Sequence, residues 1–166
     1  PLPIGHGQTI SQPWVVARMT ELASNGGTLD RVLEIGTGCG YQTAVLAQIA
    51  KTVYTVERIG SLVNKARRNL QALKVGNVRL KHGDGGSDLG EDLVVDAIIV
   101  AAGATHLPAT LQKHLKPGGR IVVPLASRDE GERGVQRLTV FENAPSGLRE
   151  TTLDAVRFVP LLAGRA

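Results

Sequence analysis

One short stretch, Arg31–Gly40 (RVLEIGTGCG), constrains the fold of this 166-residue chain more than any other. Its first half is an apolar run typical of a buried strand, and it ends at three alternating glycines. These are Gly36, Gly38 and Gly40. A helical pattern, predicted over Tyr41–Ala50 with Val45 and Ile49 one turn apart, begins at once. The order strand, glycine turn, helix is that of the first βαβ unit of a nucleotide-binding sheet, in which glycines let a ligand approach the main chain.

A second apolar run, Thr52–Glu57, ends in an acid that lies 21 positions after Gly36. At this distance a carboxylate at the tip of the second strand reaches the ribose hydroxyls of a bound nucleoside. The glycine spacing, Gly-x-Gly-x-Gly, differs from the Gly-x-Gly-x-x-Gly of dinucleotide enzymes. Glu34, two positions before the first glycine, favours a cofactor that has an ammonium group and no phosphate. The unit therefore predicts a nucleoside cofactor, and S-adenosylmethionine (SAM) fits the pattern better than a dinucleotide.

The composition is that of a single globular domain spanning residues 1–166. Aromatic residues make up only 3% of the chain, so we expect a core built from Leu, Val, Ile and Ala. The net charge of +4 is not gathered into a basic run, which argues against a nucleic-acid-binding arm. Because the sequence starts at Pro1 and not at methionine, we expect that a native N-terminal segment is absent.

The cysteine and histidine content limits the location and the chemistry. A single cysteine, Cys39, rules out an internal disulfide and favours a reducing, cytoplasmic location. The chain has no stretch of 18 apolar residues, so we expect no membrane partner. None of the four histidines has metal-ligand spacing, and no metal site is expected. We also expect a monomer.

The rest of the chain alternates between helix and strand patterns. The predicted elements are a loop at Pro1–Gln8, helices from Pro13 and Ser61, strands at Val78–His82, Asp96–Gly103 and Arg120–Pro124, a helix at Pro108–Leu115, and strands at Val135–Phe141 and Leu153–Leu161. The predicted inner face of the helix from Ser61 comprises Leu62, Ala66, Leu70 and Leu73. The last two strands are joined too closely for a parallel crossover and form an antiparallel pair. The sequence thus predicts an α/β fold with five parallel strands followed by that pair.

Seven blocks distributed over the whole chain are shared with one known family. They are Leu2–Pro13, Val32–Ala44, Val53–Ile59, Gly83–Gly85, Asp96–Val100, Leu115–Arg120 and Val156–Leu161. On these blocks the chain resembles the protein-L-isoaspartate (D-aspartate) O-methyltransferases. The glycine, Gly-Asp-Gly and Lys-Pro-Gly-Gly blocks occur in many SAM methyltransferases. The GQTISQP block at Gly7–Pro13 is more specific, and the functional hypothesis rests on it.

The resemblance implies a Rossmann-like SAM-dependent methyltransferase fold, with a mostly parallel seven-stranded sheet and one antiparallel strand. It also implies a protein repair enzyme that moves a methyl group from SAM to the α-carboxylate of L-isoaspartyl residues in damaged proteins. The cofactor product is S-adenosyl-L-homocysteine (SAH). The methyl ester then cyclises to a succinimide, which reopens in part to normal aspartate. The implied partners are isoaspartyl-containing polypeptides and not nucleic acid.

The resemblance marks Ser11 as the catalytic hydroxyl. A structural alternative is that Ser11 caps the helix that follows it. The implied cofactor-binding residues are Gln8, Thr9, Ile10, Ser11, Gly36, Thr37, Gly38, Cys39, Glu57, Arg58, Asp84 and Gly85. Among them, Glu57 would hold the ribose hydroxyls, and Arg58 and Asp84 would lie beside the adenine.

Other reactions stay open at this point. Base-modifying methyltransferases commonly carry an (Asp/Asn)-Pro-Pro-(Tyr/Phe) motif after the fourth strand, where this chain has Ala101–Thr105. A metal-dependent small-molecule enzyme would need carboxylates at the strand ends, and the fourth strand ends in apolar residues. A nicotinamide dehydrogenase would need the other glycine spacing. The alternatives are therefore a SAM-dependent enzyme acting on RNA or a small molecule, or a SAM-binding module without activity.

Overall fold

The fold is built on one seven-stranded sheet, preceded by a two-stranded hairpin. The computed structural model describes residues 1–166. The strands are β1 (Leu2–Gly5), β2 (Gln8–Ile10), β3 (Leu29–Ile35), β4 (Ala50–Glu57), β5 (Val78–His82), β6 (Val95–Val100), β7 (Leu115–Ala126), β8 (Gln136–Ala144) and β9 (Gly147–Val156). The α-helices are α1 (Pro13–Ser24), α2 (Tyr41–Leu46) and α3 (Gly60–Ala72), and short 3-10 helices cover Ala109–His114 and Glu130–Glu132.

The strand order of the large sheet is β5-β4-β3-β6-β7-β8-β9. Neighbouring strands from β5 to β7 are parallel, and β8 is antiparallel to both β7 and β9. Strand β8 is therefore the one strand that runs against the other six, as predicted. The chain order reverses at β3, which lies between β4 and β6. In open α/β sheets, ligands bind beyond the carboxyl ends of the strands at such a point.

Strand β3 separates two hydrophobic cores, one on each face of the sheet. Val32 packs in the same core as Met19 of α1. Leu33 and Ile35 face the other core, together with Ile98 of β6. Because both faces are covered, the parallel strands are continuous apolar runs and do not alternate with polar residues.

Helix α1 begins at Pro13, as predicted, and ends before Asn25, which has a left-handed φ of 48°. Proline is tolerated in the first turn because its missing N–H would have no helical partner there. The buried side chains of α1 are Val15, Val16, Met19 and Ala23. None of the helices is long and apolar enough to cross a membrane.

Helix α2 is shorter than the sequence pattern predicts. It ends at Leu46, β4 begins at Ala50, and Ile49 is exposed in the turn between them. The buried side chains of α2 are Gln42, Thr43 and Leu46. The turn is held by Asn77, whose Nδ2 donates to the carbonyl oxygens of Ala47 (2.9 Å) and Ala50 (3.0 Å). The predicted apolar face through Ile49 is wrong because this distant amide ends the helix early.

Several other predicted elements differ from the structure, and the strand predicted at Asp96–Gly103 ends at Val100. Residues predicted as a loop, Pro1–Gln8, form most of the β1–β2 hairpin. The helix predicted at Pro108–Leu115 is a 3-10 helix, and β7 begins at Leu115 instead of Arg120. Strand β7 pairs with β6 at Leu115 and again from Arg120, with a register shift between these positions. The turn pattern Lys116–Gly119 is therefore accommodated as an irregularity within the strand.

The final strand lies earlier in the chain than the predicted Leu153–Leu161, because β9 covers Gly147–Val156. The apolar residues that follow leave the sheet and pack at the carboxyl ends of the strands. Phe158 contacts the core on the α1 side, and Leu161 contacts the opposite core. Their apolar character reflects this burial and not strand pairing.

One leucine of α3, and a second directly after its last residue, test which face of that helix is buried. Leu70 is 5% exposed, whereas Leu73, predicted on the same face, is 65% exposed. We expect Leu70→Ala to lower the free energy of unfolding by about 2–5 kcal/mol, because it leaves a cavity. Leu73→Ala should change it by less than about 0.5 kcal/mol. Urea denaturation followed by circular dichroism measures both values, and equal losses would contradict the packing described here.

Candidate active site

The loop between β3 and α2 is shaped by its glycines. Gly36, Gly38 and Gly40 have φ values of +95°, +57° and +91°. A Cβ atom on Gly38 would lie 3.2 Å from Cδ1 of Ile4, and one on Gly36 would lie 3.5 Å from Cβ of Ala101. Glycine is therefore favoured at all three positions by the left-handed backbone, and at Gly38 also by the close approach of the hairpin, whereas the contact at Gly36 is an ordinary one.

The carboxylate of Glu57, at the end of β4, ties this loop to the start of α3. Its Oε2 accepts a hydrogen bond from the backbone N–H of Gly38 (2.9 Å), and its Oε1 accepts one from that of Ile59 (3.0 Å). The residue is 5% exposed. A carboxylate has about four acceptor positions, so Glu57 keeps capacity for further donors. It lies where the sequence analysis expects a partner for ribose hydroxyls.

A crevice lies over the carboxyl ends of β3, β4 and β5, and we call it the nucleoside crevice. It encloses about 640 Å³, counting the space open to solvent. The predicted site residues that line it are Gln8, Thr9, Gly36, Gly38, Glu57, Arg58 and Gly85. Its apolar walls, which the sequence analysis missed, include Ile4 of β1, Leu62 of α3 and Val159–Leu162 after β9. A mainly apolar slot with one buried carboxylate suits a flat base joined to a polar sugar.

A second opening, the loop crevice, lies over the glycine loop. Its predicted lining residues are Thr9, Ile10, Ser11, Gly36, Thr37, Gly38 and Cys39. The sequence analysis missed Tyr41 and Gln42, which also line it. Both lie at the start of α2, directly after the glycine pattern. This position in the sequence could have identified them as lining residues.

A third opening, the outer cleft, lies between the start of α1 and the end of β9. Ser11, Trp14, Arg157 and Phe158 are among its lining residues. Thr9 and Ala101 line all three openings, and Ser11 lines both the loop crevice and the outer cleft. The hydroxyl-bearing residue that the sequence analysis singled out thus lies where the glycine loop meets a surface cleft.

Ser11 does not cap α1. The N-cap residue of that helix is Gln12, and no side chain makes a capping hydrogen bond there. The structural alternative for Ser11 is therefore wrong, and its position in the walls of two adjoining openings favours a functional role.

In the Gly-Asp-Gly segment after β5, Gly85 and Asp84 have different roles. Gly85 lines the nucleoside crevice, and a Cβ atom on it would overlap with Cγ2 of Ile35. Asp84 does not line the crevice. Its Oδ1 accepts from the backbone N–H of Gly86 (2.7 Å) and its Oδ2 from that of Gly164 (2.6 Å). A direct contact between Asp84 and a base stays a prediction.

Comparison with known proteins establishes the family. The family model described as "Protein-L-isoaspartate(D-aspartate) O-methyltransferase (PCMT)" matches residues 1–166. The chain belongs to this O-methyltransferase family. It is 55% identical over 164 residues to the protein-L-isoaspartate O-methyltransferase of Dechloromonas aromatica, covering 98% of this chain and 73% of that protein. It is 51% identical over 164 residues to that of Chromobacterium violaceum, covering 99% of this chain and 71% of the relative.

Solved structures of the O-methyltransferase family have the same fold. One protein-L-isoaspartate O-methyltransferase superposes with a TM-score of 0.81 and 29% identity, covering 94% of this chain and half (50%) of that chain. A putative relative from Plasmodium falciparum, solved in complex with SAH, has a TM-score of 0.79 and 27% identity, covering 98% and 79% of the two chains. The predicted family and the predicted Rossmann-like methyltransferase fold are confirmed.

In this member of the O-methyltransferase family, Glu34 lies beneath the glycine loop and is fully buried. Its Oε1 accepts from the hydroxyls of Thr43 (2.5 Å) and Thr55 (2.6 Å), while its Oε2 is buried without a partner. Glu34 lines neither the nucleoside crevice nor the loop crevice. It is therefore not placed to contact an ammonium group bound in either of them, contrary to the expectation from the sequence. Burial raises the pKa of Glu34 to about 7, partly offset by the two hydroxyls and reinforced by the negative charge of Glu57.

This raised pKa makes the stability of the methyltransferase depend on pH. Because the folded-state pKa of Glu34 lies above the ordinary 4.5, its contribution to stability is complete below pH 4.5 and is lost as the pH rises through about 7. We expect the free energy of unfolding of the wild type, relative to Glu34→Gln, to fall by about 3 kcal/mol between about pH 4 and about pH 8. Urea titrations across this range measure the difference, with Glu91→Gln, at an exposed loop position, as the control. A difference that does not vary with pH would contradict burial of the neutral acid.

Proposed function

We propose that this chain is a protein repair methyltransferase that moves a methyl group from SAM to the α-carboxylate of L-isoaspartyl residues and releases SAH. The observation that carries the proposal is the position of Ser11 between the loop crevice and the outer cleft. Membership of the O-methyltransferase family supports the same reaction. Its relatives are named for protein substrates, and damaged polypeptides are the proposed partners here.

The residues at the site fit SAM in two respects, the shape of the glycine loop and the hydrogen-bonding groups around it. The left-handed glycines of the loop leave room against Ile4 and Ala101 for the methionine part of the cofactor. We propose that Gly36, Thr37, Gly38 and Cys39 hold this part and that Glu57 accepts from the ribose hydroxyls. Gly85 would border the base, and the absence of a Cβ there keeps the crevice open beside Ile35. Gln8, Thr9 and Ile10 of the hairpin would close over the cofactor beside Ser11.

The reaction asks the protein for alignment more than for acid–base chemistry. When bound, SAM supplies a methyl group on a positively charged sulfur. An α-carboxylate has a pKa well below neutrality, so the nucleophile is already ionised and no general base is required. Alignment of the attacking oxygen, the methyl carbon and the departing sulfur, with exclusion of water, can contribute roughly 7–11 kcal/mol in favourable cases.

Ser11 is the residue that we propose for this alignment. Its hydroxyl donates a hydrogen bond to one carboxylate oxygen of the substrate and so directs the other oxygen toward the loop crevice. A hydrogen bond from a neutral donor to an ion is stronger than one between two neutral groups. A serine hydroxyl keeps its proton at neutral pH, so it can donate such a bond but cannot transfer the proton. Ser11 is therefore a positioning donor that touches the substrate and not an acid or a base.

The outer cleft suits a polypeptide better than RNA. Arg157 is the one charged side chain in its lining, and Trp14, which is 55% exposed, offers an apolar surface. RNA binding depends on several cations that neutralise phosphates, and a single arginine does not provide them. A small-molecule site would enclose its ligand, whereas this cleft opens to the surface between α1 and β9. The monomeric state and the cytoplasmic location stay predictions.

The function is tested by methyl transfer to matched peptides. Radiolabelled SAM is incubated with the protein and a peptide that contains L-isoaspartate, or the same peptide with ordinary aspartate. We expect base-labile label only in the first peptide. In L-isoaspartate the chain continues through the side-chain carboxyl group, so the α-carboxylate is free to accept a methyl group. Equal labelling of both peptides, or labelling of RNA in a parallel reaction, would point to another substrate class.

Ser11→Ala tests the positioning role. We expect kcat at saturating substrate to fall on the order of 10- to 100-fold, the value of a hydrogen bond to a charged group. The free energy of unfolding and the affinity for SAH should stay at wild-type values, because Ser11 does not cap α1. Ser24→Ala, at the other end of the same helix, is the matched control. Full turnover of Ser11→Ala would remove Ser11 from the mechanism.

A further inference from the structure

The segment after β9 crosses the carboxyl ends of the strands. We call residues Val159–Ala166 the strap. Near its start, the strap pairs with the chain beyond β6: the N–H of Gly103 donates to the carbonyl of Val159 (2.7 Å), and the N–H of Leu161 donates to the carbonyl of Gly103 (2.8 Å). At its other end, the N–H of Ala166 donates to the carbonyl of Arg58, just after β4 (2.6 Å). The strap therefore spans the same strand ends as the nucleoside crevice.

The first half of the strap forms one wall of that crevice. Val159, Pro160, Leu161 and Leu162 all line it. These four residues supply apolar surface on the side opposite α3, which contributes Leu62. A ligand in the crevice would therefore contact the strap directly, and the position of the strap sets the width of the slot.

The second half of the strap is held on both sides of Gly164, in addition to the bonds of Arg165 with Asp88 and of Ala166 with Arg58 and Gly60. Oδ2 of Asp84 accepts from the N–H of Gly164 (2.6 Å), and Nε of Arg58 donates to the carbonyl of Gly164 (3.2 Å). Gly164 has a φ of +80°, which other residues adopt only with strain. Neither Gly164 nor Asp84 lines the nucleoside crevice, so their hydrogen bond lies behind the wall, whereas Arg58 both lines the crevice and holds Gly164.

We propose that Asp84 and Arg58 act on the nucleoside cofactor through the strap: by clamping Gly164 they hold the wall Val159–Leu162 against the bound base. Both are then positioning residues for the cofactor. The proposal rests on the proposed function, because the nucleoside is taken to be that of SAM and SAH. It differs from a direct contact between Asp84 and the adenine amino group, because Asp84 does not line the nucleoside crevice and its two oxygens accept from the N–H groups of Gly86 and Gly164.

A pair of ligands separates the clamp from a direct contact. SAH carries the 6-amino group of adenine, and S-inosyl-L-homocysteine carries an oxygen in its place. The dissociation constants of both ligands are measured by isothermal titration calorimetry for the wild type, Asp84→Asn, Arg58→Met and Gly164→Ala. Asp92→Asn, at an exposed position of the loop before β6, is the control.

We expect Asp84→Asn and Arg58→Met each to weaken SAH and S-inosyl-L-homocysteine by the same factor, on the order of tenfold, since each variant loses one hydrogen bond to the backbone of Gly164. The double variant should lose less than the product of the two factors, because the clamp is already open after the first change. Gly164→Ala should weaken both ligands several-fold as well. A Cβ atom there has no neighbour within 4 Å, so the change strains the backbone without touching the ligand.

Two results would overturn the proposal. The first is that Asp84→Asn weakens SAH but not S-inosyl-L-homocysteine, which is the signature of a direct contact with the amino group. The second is that Gly164→Ala binds both ligands like the wild type. A wild type that binds neither ligand would overturn the proposed function together with the strap, whereas loss of the strap effect alone leaves methyl transfer intact.

Steady-state kinetics distinguishes loss of cofactor positioning from a general loss of protein stability, because the two affect KM for SAM and kcat differently. We expect KM for SAM to rise in the three strap variants while kcat at saturating SAM stays within about twofold of the wild type, because the reacting atoms lie at the other end of the cofactor. A fall in kcat with unchanged KM would contradict the clamp.

Discussion

The hydrogen bonds from the N–H groups of Gly38 and Ile59 to the carboxylate of Glu57 are the constraint on which the rest of the site depends. They join the loop after β3 to the start of α3, and these two segments contribute facing parts of the nucleoside crevice. A buried charge is costly unless its oxygens accept hydrogen bonds, and here both do. The same two bonds shape the loop and keep a negative charge beside the crevice, so structure and binding cannot be separated at Glu57.

Two walls of the nucleoside crevice come from outside the sheet, and polar tethers hold both of them. The hairpin is attached to α3 by a hydrogen bond between His6 and Ser61 (2.6 Å) and by one from Nζ of Lys65 to the carbonyl of Ile4 (3.3 Å). The strap is attached through Gly164 and its neighbours. Exposed hydrogen bonds of this kind each contribute only about 0.5–1.5 kcal/mol. The strap also packs Leu161 against one hydrophobic core, so it is held by apolar contact as well as by these tethers.

The sequence predicted the parts of the molecule in which a local pattern has a single physical cause. The glycine loop needs left-handed backbone, and the apolar run of β3 needs burial on both faces, so both were found. The strap was missed because apolar residues such as Val159 and Leu161 face a crevice, and periodicity cannot distinguish a crevice wall from a strand. The resemblance places Asp84 beside the base, and no local pattern could show its hydrogen bond to Gly164, because that residue lies 80 positions away in sequence.

Glu34 and Glu57 differ in role because the loop gives only one of them backbone donors. Glu57 accepts from two N–H groups and can carry its charge at the edge of the crevice. Glu34 is fully buried and receives only the hydroxyls of Thr43 and Thr55, both on one oxygen, so these bonds offset only part of the effect of burial, which raises the pKa of Glu34 to about 7. The charge of Glu57 adds to this rise, so full ionisation of one carboxylate favours the neutral form of the other. Two glutamates in the same sequence motif therefore differ in how well the fold supports a negative charge. The difference follows from burial and from which of them the glycine turn supplies with backbone N–H groups.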